Sequence, residues 1–234
     1  WANLAGITRT AQRAQLVAGM AALMLLMWLI DAATSAWPLW LAAAGWLINL
    51  YWVTHYPAAG QQWQATPRRL AMGLWVLLPC WVGFNVLRES GMAWLLFVLL
   101  LVWCADIGAY FVGRNWGKRK LAPRVSPGKS WEGVYGGLAA TAILAVVFAV
   151  WLSLGMASSL TLILVTAVVT LTSVLGDLLE SMLKRHRNIK DSSQLLPGHG
   201  GVLDRIDSLT AAIPLFALFY LEVLMPMLVQ GQSL

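Results

Sequence analysis

The chain has 234 residues, 59% hydrophobic and only 11% charged, with a formal net charge of +6 and a mean hydropathy of +0.70. Soluble domains carry about 25% charged residues, so a water-soluble domain of ordinary composition is excluded, as are intrinsic disorder and a coiled coil. Two cysteines, Cys80 and Cys104, both in apolar stretches, cannot form a secreted disulfide framework.

Seven apolar stretches have about the 17 to 25 residues that a bilayer crossing needs: 14–30, 37–54, 70–87, 92–112, 134–154, 160–179 and 209–229. Each is predicted to be helical, because an open strand would leave peptide groups unpaired in hydrocarbon. The fold class is therefore an all-α, polytopic membrane helix bundle with about seven transmembrane helices. The first stretch is short and runs into Asp31. None reads as a signal peptide, since none lies at the extreme N-terminus ahead of a small-residue cleavage site. The chain opens on Trp1 rather than Met, which reads as a start inside a longer protein with further helices upstream. Residues 1–90 form a first group of membrane helices; residues 91–234 carry two polar loops, 113–133 and 181–207.

Basic residues set the orientation, because cytoplasmic loops retain Lys and Arg. With the first stretch entering from the cytoplasm, fifteen of the sixteen basic residues fall on the cytoplasmic side, and Arg88, followed by Glu89, is alone outside. Attraction to anionic headgroups would account for the charge itself. It does not account for its distribution, since the two polar loops hold eleven of the sixteen.

In the first loop the triplet Gly128-Lys129-Ser130 suggests a P-loop, but that motif needs a glycine at position 123, where Pro123 stands, and a preceding strand where a membrane helix lies. What remains is a Pro-punctuated turn whose N–H groups, hydroxyls and cation suit a phosphate. Three carboxylates fall inside the predicted helices: Asp106, Asp177 and Glu222. An ionised group there costs about 2.5 to 3.5 kcal/mol. Asp106 and Asp177 each lie seven residues from a basic loop, roughly 10 Å in at the helical rise, and two carboxylates at matched depth can line one polar cavity. Glu222 lies toward the opposite face, where a helix-packing hydrogen bond is its expected role.

The second loop reads Ser181-x-x-Lys184-Arg185, four residues, Lys190-Asp191, five residues, Pro197-Gly198-His199-Gly200-Gly201, two residues, and Asp204-Arg205-Ile206-Asp207. Mixed charge at this density suits an ion-pair network or a site for an anion with a metal. Hard oxygen ligands at Asp177, Asp204 and Asp207 suit Mg²⁺, which binds through a few carboxylates and substrate phosphates. Zinc is disfavoured, because His199 has no second His or Cys at ligand spacing. Glycines beside His199 let backbone approach a ligand closely.

This run resembles, in its fixed residues and spacings, the signature of phosphatidate cytidylyltransferases, also called CDP-diacylglycerol synthases. Asp106-Ile-Gly-Ala-Tyr110, the run from Ser126 to Gly133, and Gly176-Asp177 are similar to further features of that family. The resemblance covers the last ~140 residues strongly and the first ~90 mainly by hydropathy. It implies transfer of a cytidylyl group from CTP to phosphatidic acid, with Mg²⁺ required, at the inner membrane of a bacterium and with the site facing the cytoplasm. It also implies metal ligands at Asp177 and Asp204, to which Asp207 and Asp106 are added from the residues themselves.

Lys184, Arg185, Lys190 and Arg205 are then the candidates to hold phosphates, with Asp191 and His199 beside them in the catalytic set. Ser126, Lys129 and Ser130 are expected to close over the nucleotide, and Ser181, Gly200 and Gly201 to contact substrate. Tyr110 and Trp131 are candidates to stack on cytosine, with interfacial anchoring as the competing role. The expected partners are CTP, phosphatidic acid and the bilayer, with no nucleic acid; a homodimer is allowed. Two other functions fit parts of the pattern: an anionic-metabolite transporter, and a CTP-dependent lipid kinase that would release CDP.

Overall fold

All seven predicted stretches are helical in the computed structural model, which describes residues 1–231. In chain order the elements are α1 (Thr10–Leu29), α2 (Trp37–Thr54), the single turn α3 (Gly60–Trp63), α4 (Thr66–Ser90), α5 (Met92–Trp116), β1 (Lys120–Ala122), β2 (Ser126–Ser130), α6 (Trp131–Trp151), α7 (Met156–His186) and α8 (Leu203–Phe219). A π-helical turn over Tyr220–Leu224 continues α8 into α9 (Met225–Gly231). Among the described residues six helices are long and apolar enough to cross a membrane: α1, α4, α5, α6, α7 and α8 with its continuation. The chain is an integral membrane protein. The helix α2 has 18 residues but is not among the six, because four tryptophans, Pro38 and Asn49 lower its hydropathy.

The buried centre is α8, whose residues from Ser208 to Leu218 are all buried and pack against α2, α4, α5 and α7. An aromatic group of Trp94, Phe97, Phe148 and Phe216 joins α5, α6 and α8, with ring centroids 4.5 to 6.2 Å apart. By contrast α1 buries only Met27. Both apolar clusters draw residues from either side of position 90.

Helices α5 and α6 approach through glycine. A Cβ built on Gly108 would lie 2.6 Å from the Gly136 carbonyl oxygen, and one on Gly137 would lie 2.9 Å from that of Ala105. Small residues allow membrane helices this separation, and they fix Asp106 on α5 beside the start of α6. That start is defined by Ser130, whose Oγ accepts a hydrogen bond from the Gly133 N–H at 3.2 Å. Losing such a cap costs about 1 kcal/mol.

Helices outrun their apolar stretches on both sides of the polar loops. The polar ends of α5 and α7 continue to Trp116 and His186, and α8 begins at Leu203. The polar connections are therefore 117–130 and 187–202, shorter than the loops predicted from hydropathy. Ser181, Lys184 and Arg185 lie on a helix, as do Asp204, Arg205 and Asp207. At about 1.5 Å per residue, the 31 residues of α7 run well beyond a hydrocarbon core of about 30 Å.

The first connection is a β-hairpin, antiparallel, with Lys120 opposite Ser130 and Ala122 opposite Ser126. Glu132 fastens its base. One carboxylate oxygen accepts the N–H groups of Lys118 and Arg119 at 3.0 and 3.1 Å, and the other accepts the Arg119 Nε at 3.0 Å.

At the same end of the bundle the N-terminal segment is tied in. Asn3 donates to the Ser192 carbonyl at 2.8 Å, and buried Arg69 donates to the Leu4 carbonyl at 3.0 Å. At the other end Arg88 pairs with Glu89 at 3.6 Å, and Glu222, in the π-helical turn, accepts a hydrogen bond from the Trp40 Nε1 at 3.2 Å. Glu222 thus has the packing partner expected for it.

Candidate active site

A cavity of about 330 Å³ lies between α5, α6, α7 and the hairpin. Asp106 and Tyr110 line it from α5, Lys129 and Ser130 from β2, Gly133 and Val134 from α6, and Thr170 and Val174 from α7. Two cations line it, Arg114 from α5 and Lys129 from the hairpin, and Lys129 Nζ lies 2.6 Å from Asp177 Oδ2. Ser181, one helical turn along α7, donates to Asp177 Oδ1 at 3.1 Å, so each oxygen of this carboxylate is held. Asp106 is close enough to feel the charges of both Lys129 and Asp177. Of the two carboxylates predicted at matched depth, Asp177 pairs with Lys129, and Asp106 lines the cavity that Lys129 also lines.

A second lysine makes the same kind of contact one turn further along α7. Lys184 Nζ lies 3.0 Å from Glu180 Oε2 and 2.8 Å from Asp204 Oδ1. Glu180 is 2% exposed, and among the described residues its Oε1 has no hydrogen-bond partner. Asp207 accepts its neighbour's N–H, from Ser208, at 2.8 Å and interacts electrostatically with Asp177 and Glu180. Glu180 was missed from sequence because the apolar stretch ends at Leu179. Its signal is periodic: positions 177, 180, 181 and 184 share one face of a helix.

The segment 187–202 is organised around Asp204. Its Oδ2 accepts from the Ser192 N–H at 2.9 Å, the Ser192 hydroxyl at 2.7 Å and the Gly201 N–H at 2.8 Å. Gly200 has φ +84°, and a Cβ there would lie 3.2 Å from Asp204 Oδ2. Only glycine takes this conformation without strain. The backbone expected to approach a ligand approaches Asp204 instead. Arg205 donates through Nε and a terminal nitrogen to the His199 carbonyl at 3.2 and 2.8 Å, and the exposed His199 ring pairs through Nδ1 with the Pro197 carbonyl at 3.1 Å.

Other sequence-predicted residues lie apart from the cavity. Lys190 and Asp191 are exposed and form no ion pair among the described residues. Ser126 begins β2 and is not part of the cavity lining, whereas Ser130 lines it while also capping α6. Arg185 reaches the hairpin, donating from Nε to the Val125 carbonyl at 3.3 Å. Trp131 lies outside this cavity and Tyr110 on its wall.

The donor set suits a hard divalent cation. Among the described residues no three of His, Cys, Asp and Glu converge to hold a metal by themselves. The acidic groups offer oxygen only, an ammonium already occupies a cation position at Asp177 and at Asp204, and Glu180 Oε1 is buried and unpartnered. Such a site fits a metal that completes its shell with substrate phosphates and water, as Mg²⁺ does.

The model of the cytidylyltransferase family matches residues 1–223. The chain belongs to the cytidylyltransferase family. It is 49% identical over 219 residues to a phosphatidate cytidylyltransferase of Pseudomonas aeruginosa, covering 93% of this chain and 80% of that one. It is 48% identical over 195 residues to the enzyme of that name from Haemophilus influenzae, covering 78% and 68% of the two chains. A third, from Bacillus subtilis, is 43% identical over 137 residues, 57% of this chain and 51% of the relative. The family match takes in the first ninety residues, about which the polar motifs say nothing.

Proposed function

We propose that this chain transfers the cytidylyl group of CTP to phosphatidate, forming CDP-diacylglycerol and pyrophosphate for phospholipid synthesis. The observation that carries the reading is one polar cavity in a membrane bundle where the hairpin lysine meets an intramembrane carboxylate. Relatives named for this activity share the family. In the reaction an ionised oxygen of the lipid phosphate attacks the α-phosphorus of CTP, and the bond to the bridging oxygen of the β-phosphate breaks as pyrophosphate leaves. Positioning and charge neutralisation carry such a transfer, so no protein nucleophile is needed.

Asp177 and Asp204, with Asp207 and Glu180 between them, would hold Mg²⁺. When bound, the ion neutralises phosphate oxygens so that two anionic reactants can approach. Lys129 and Lys184 are the cations nearest those carboxylates, and both can turn toward phosphate when a metal takes their place. Ser181 keeps Asp177 oriented, and Asp204 keeps the Gly200-Gly201 backbone folded over the end of α7.

The same reading places the site on the cytoplasmic face of a bacterial inner membrane, supported by the fifteen basic residues assigned to that side and by the supply of CTP there. A cysteine placed at the exposed Lys118 should react with an impermeant thiol reagent only from the cytoplasmic side; reaction only from outside would reverse the orientation. The activity is tested with labelled CTP and phosphatidate in detergent micelles. Labelled CDP-diacylglycerol with pyrophosphate is the expected result. Release of CDP would make the protein a lipid kinase, and unchanged CTP with vectorial uptake a transporter.

A further inference from the structure

A second cavity, of about 630 Å³, lies between α2, the hairpin, α6 and α7. Its walls are apolar: Val53 from α2, Leu121 and Val125 from the hairpin, and Leu171, Leu175 and Leu178 from α7. Its one charged lining residue is Arg124, at the hairpin turn. The Arg124 side chain is exposed and makes no ion pair or hydrogen bond among the described residues. Val134 and Val174 belong to the walls of both cavities, so the apolar slot backs directly onto the polar one. The hairpin spans the two, with Arg124 over the slot and Lys129 over the polar cavity.

Arg124 is suited to a phosphate, because a guanidinium grips two oxygens at once, and the slot behind it is suited to hydrocarbon. A ligand with an anionic phosphate head and acyl chains matches this order of charge and apolar wall. Two of the walls, α6 and α7, belong to membrane-crossing helices, so such a ligand can arrive from the bilayer without entering water. Resting on the function proposed above, we propose that this slot takes the acyl side of phosphatidate with Arg124 on its phosphate, leaving the polar cavity to CTP. Arg185, bonded to the Val125 carbonyl, then fixes the hairpin between the two substrates rather than binding either.

The proposal gives Leu171, 47% exposed on the slot wall, a role in lipid selectivity. Leu171→Trp should raise KM for a long-chain phosphatidate about tenfold, the scale set by lost hydrocarbon contacts in an apolar pocket. It should leave KM for CTP and for dihexanoyl phosphatidate unchanged. Arg124→Ala should raise KM for both lipids and not for CTP. A phosphatidate carrying a photoactivatable diazirine at its chain end should label peptides containing Val53 or Leu171, and unlabelled phosphatidate should compete where diacylglycerol does not. Labelling confined to other helices, or labelling of the slot that diacylglycerol displaces equally well, would overturn the proposal. So would Leu171→Trp kinetics like wild type with both lipids. These failures are separable from failure of the proposed function, which would show as absence of CDP-diacylglycerol from the unmodified protein.

Discussion

The two polar connections at the cavity end of the bundle are built on opposite plans. The segment 187–202 folds back onto the start of α8, where charge is consumed internally: Asp204 is saturated by Lys184, Ser192 and Gly201, and Arg205 by the His199 carbonyl. The hairpin 117–130 is braced at its base by Glu132 and near its tip by the Arg185 bond to the Val125 carbonyl, and it presents Arg124 and Lys129 to two cavities. The difference teaches that density of charge along the chain does not decide which groups are left to face a cavity. Much of the long signature shapes the wall that holds two carboxylates, and the sparser hairpin delivers the cations.

This contrast can be broken at Asp204, where the largest effect is expected. Asp204→Asn keeps the shape but places an amide where three N–H or O–H donors converge. Turnover should fall on the order of 10³-fold, as for loss of a group that stabilises transferring charge, and the segment 187–202 should become sensitive to proteolysis while the helices persist. Wild-type turnover and protease resistance together would mean that the segment does not depend on Asp204.

A smaller effect is expected where the end of α7 touches the hairpin. Arg185→Lys preserves charge but loses the Nε hydrogen bond to Val125. Displacement of the hairpin by about 1 Å corresponds to a loss on the order of 10²-fold in kcat, with membrane insertion intact. Unchanged kinetics in the inserted variant would return Arg185 to interfacial anchoring.

What sequence alone made legible follows from physics that acts locally. Seven apolar lengths forecast seven helices, and Asp106 and Asp177, counted at the helical rise, forecast a shared polar region. Glu180 was hidden because hydropathy fades one residue before it, although hydrogen bonding carries α7 on to His186. The clamp on Asp204 was hidden because Ser192 and Gly201 are ordinary loop residues until the chain folds back on itself. The pairing of Lys129 with Asp177 spans 48 residues of sequence and depends on the α5–α6 glycine contact, which no local pattern reports. Position-specific roles within the signature are likewise set by which groups are left unpaired after folding.

On the function proposed above, Asp177, under the hairpin, would exchange the Lys129 ammonium for a metal ion brought with the nucleotide. The direct measurement is Mn²⁺ binding by electron paramagnetic resonance in purified protein with an unreactive CTP analogue, since Mn²⁺ shares the oxygen-ligand preference of Mg²⁺. Wild-type protein should bind Mn²⁺ in an analogue-dependent manner, and Asp177→Asn should lose that binding while keeping its helical circular dichroism. Equal analogue-dependent Mn²⁺ affinity in the folded Asp177→Asn protein would contradict the account.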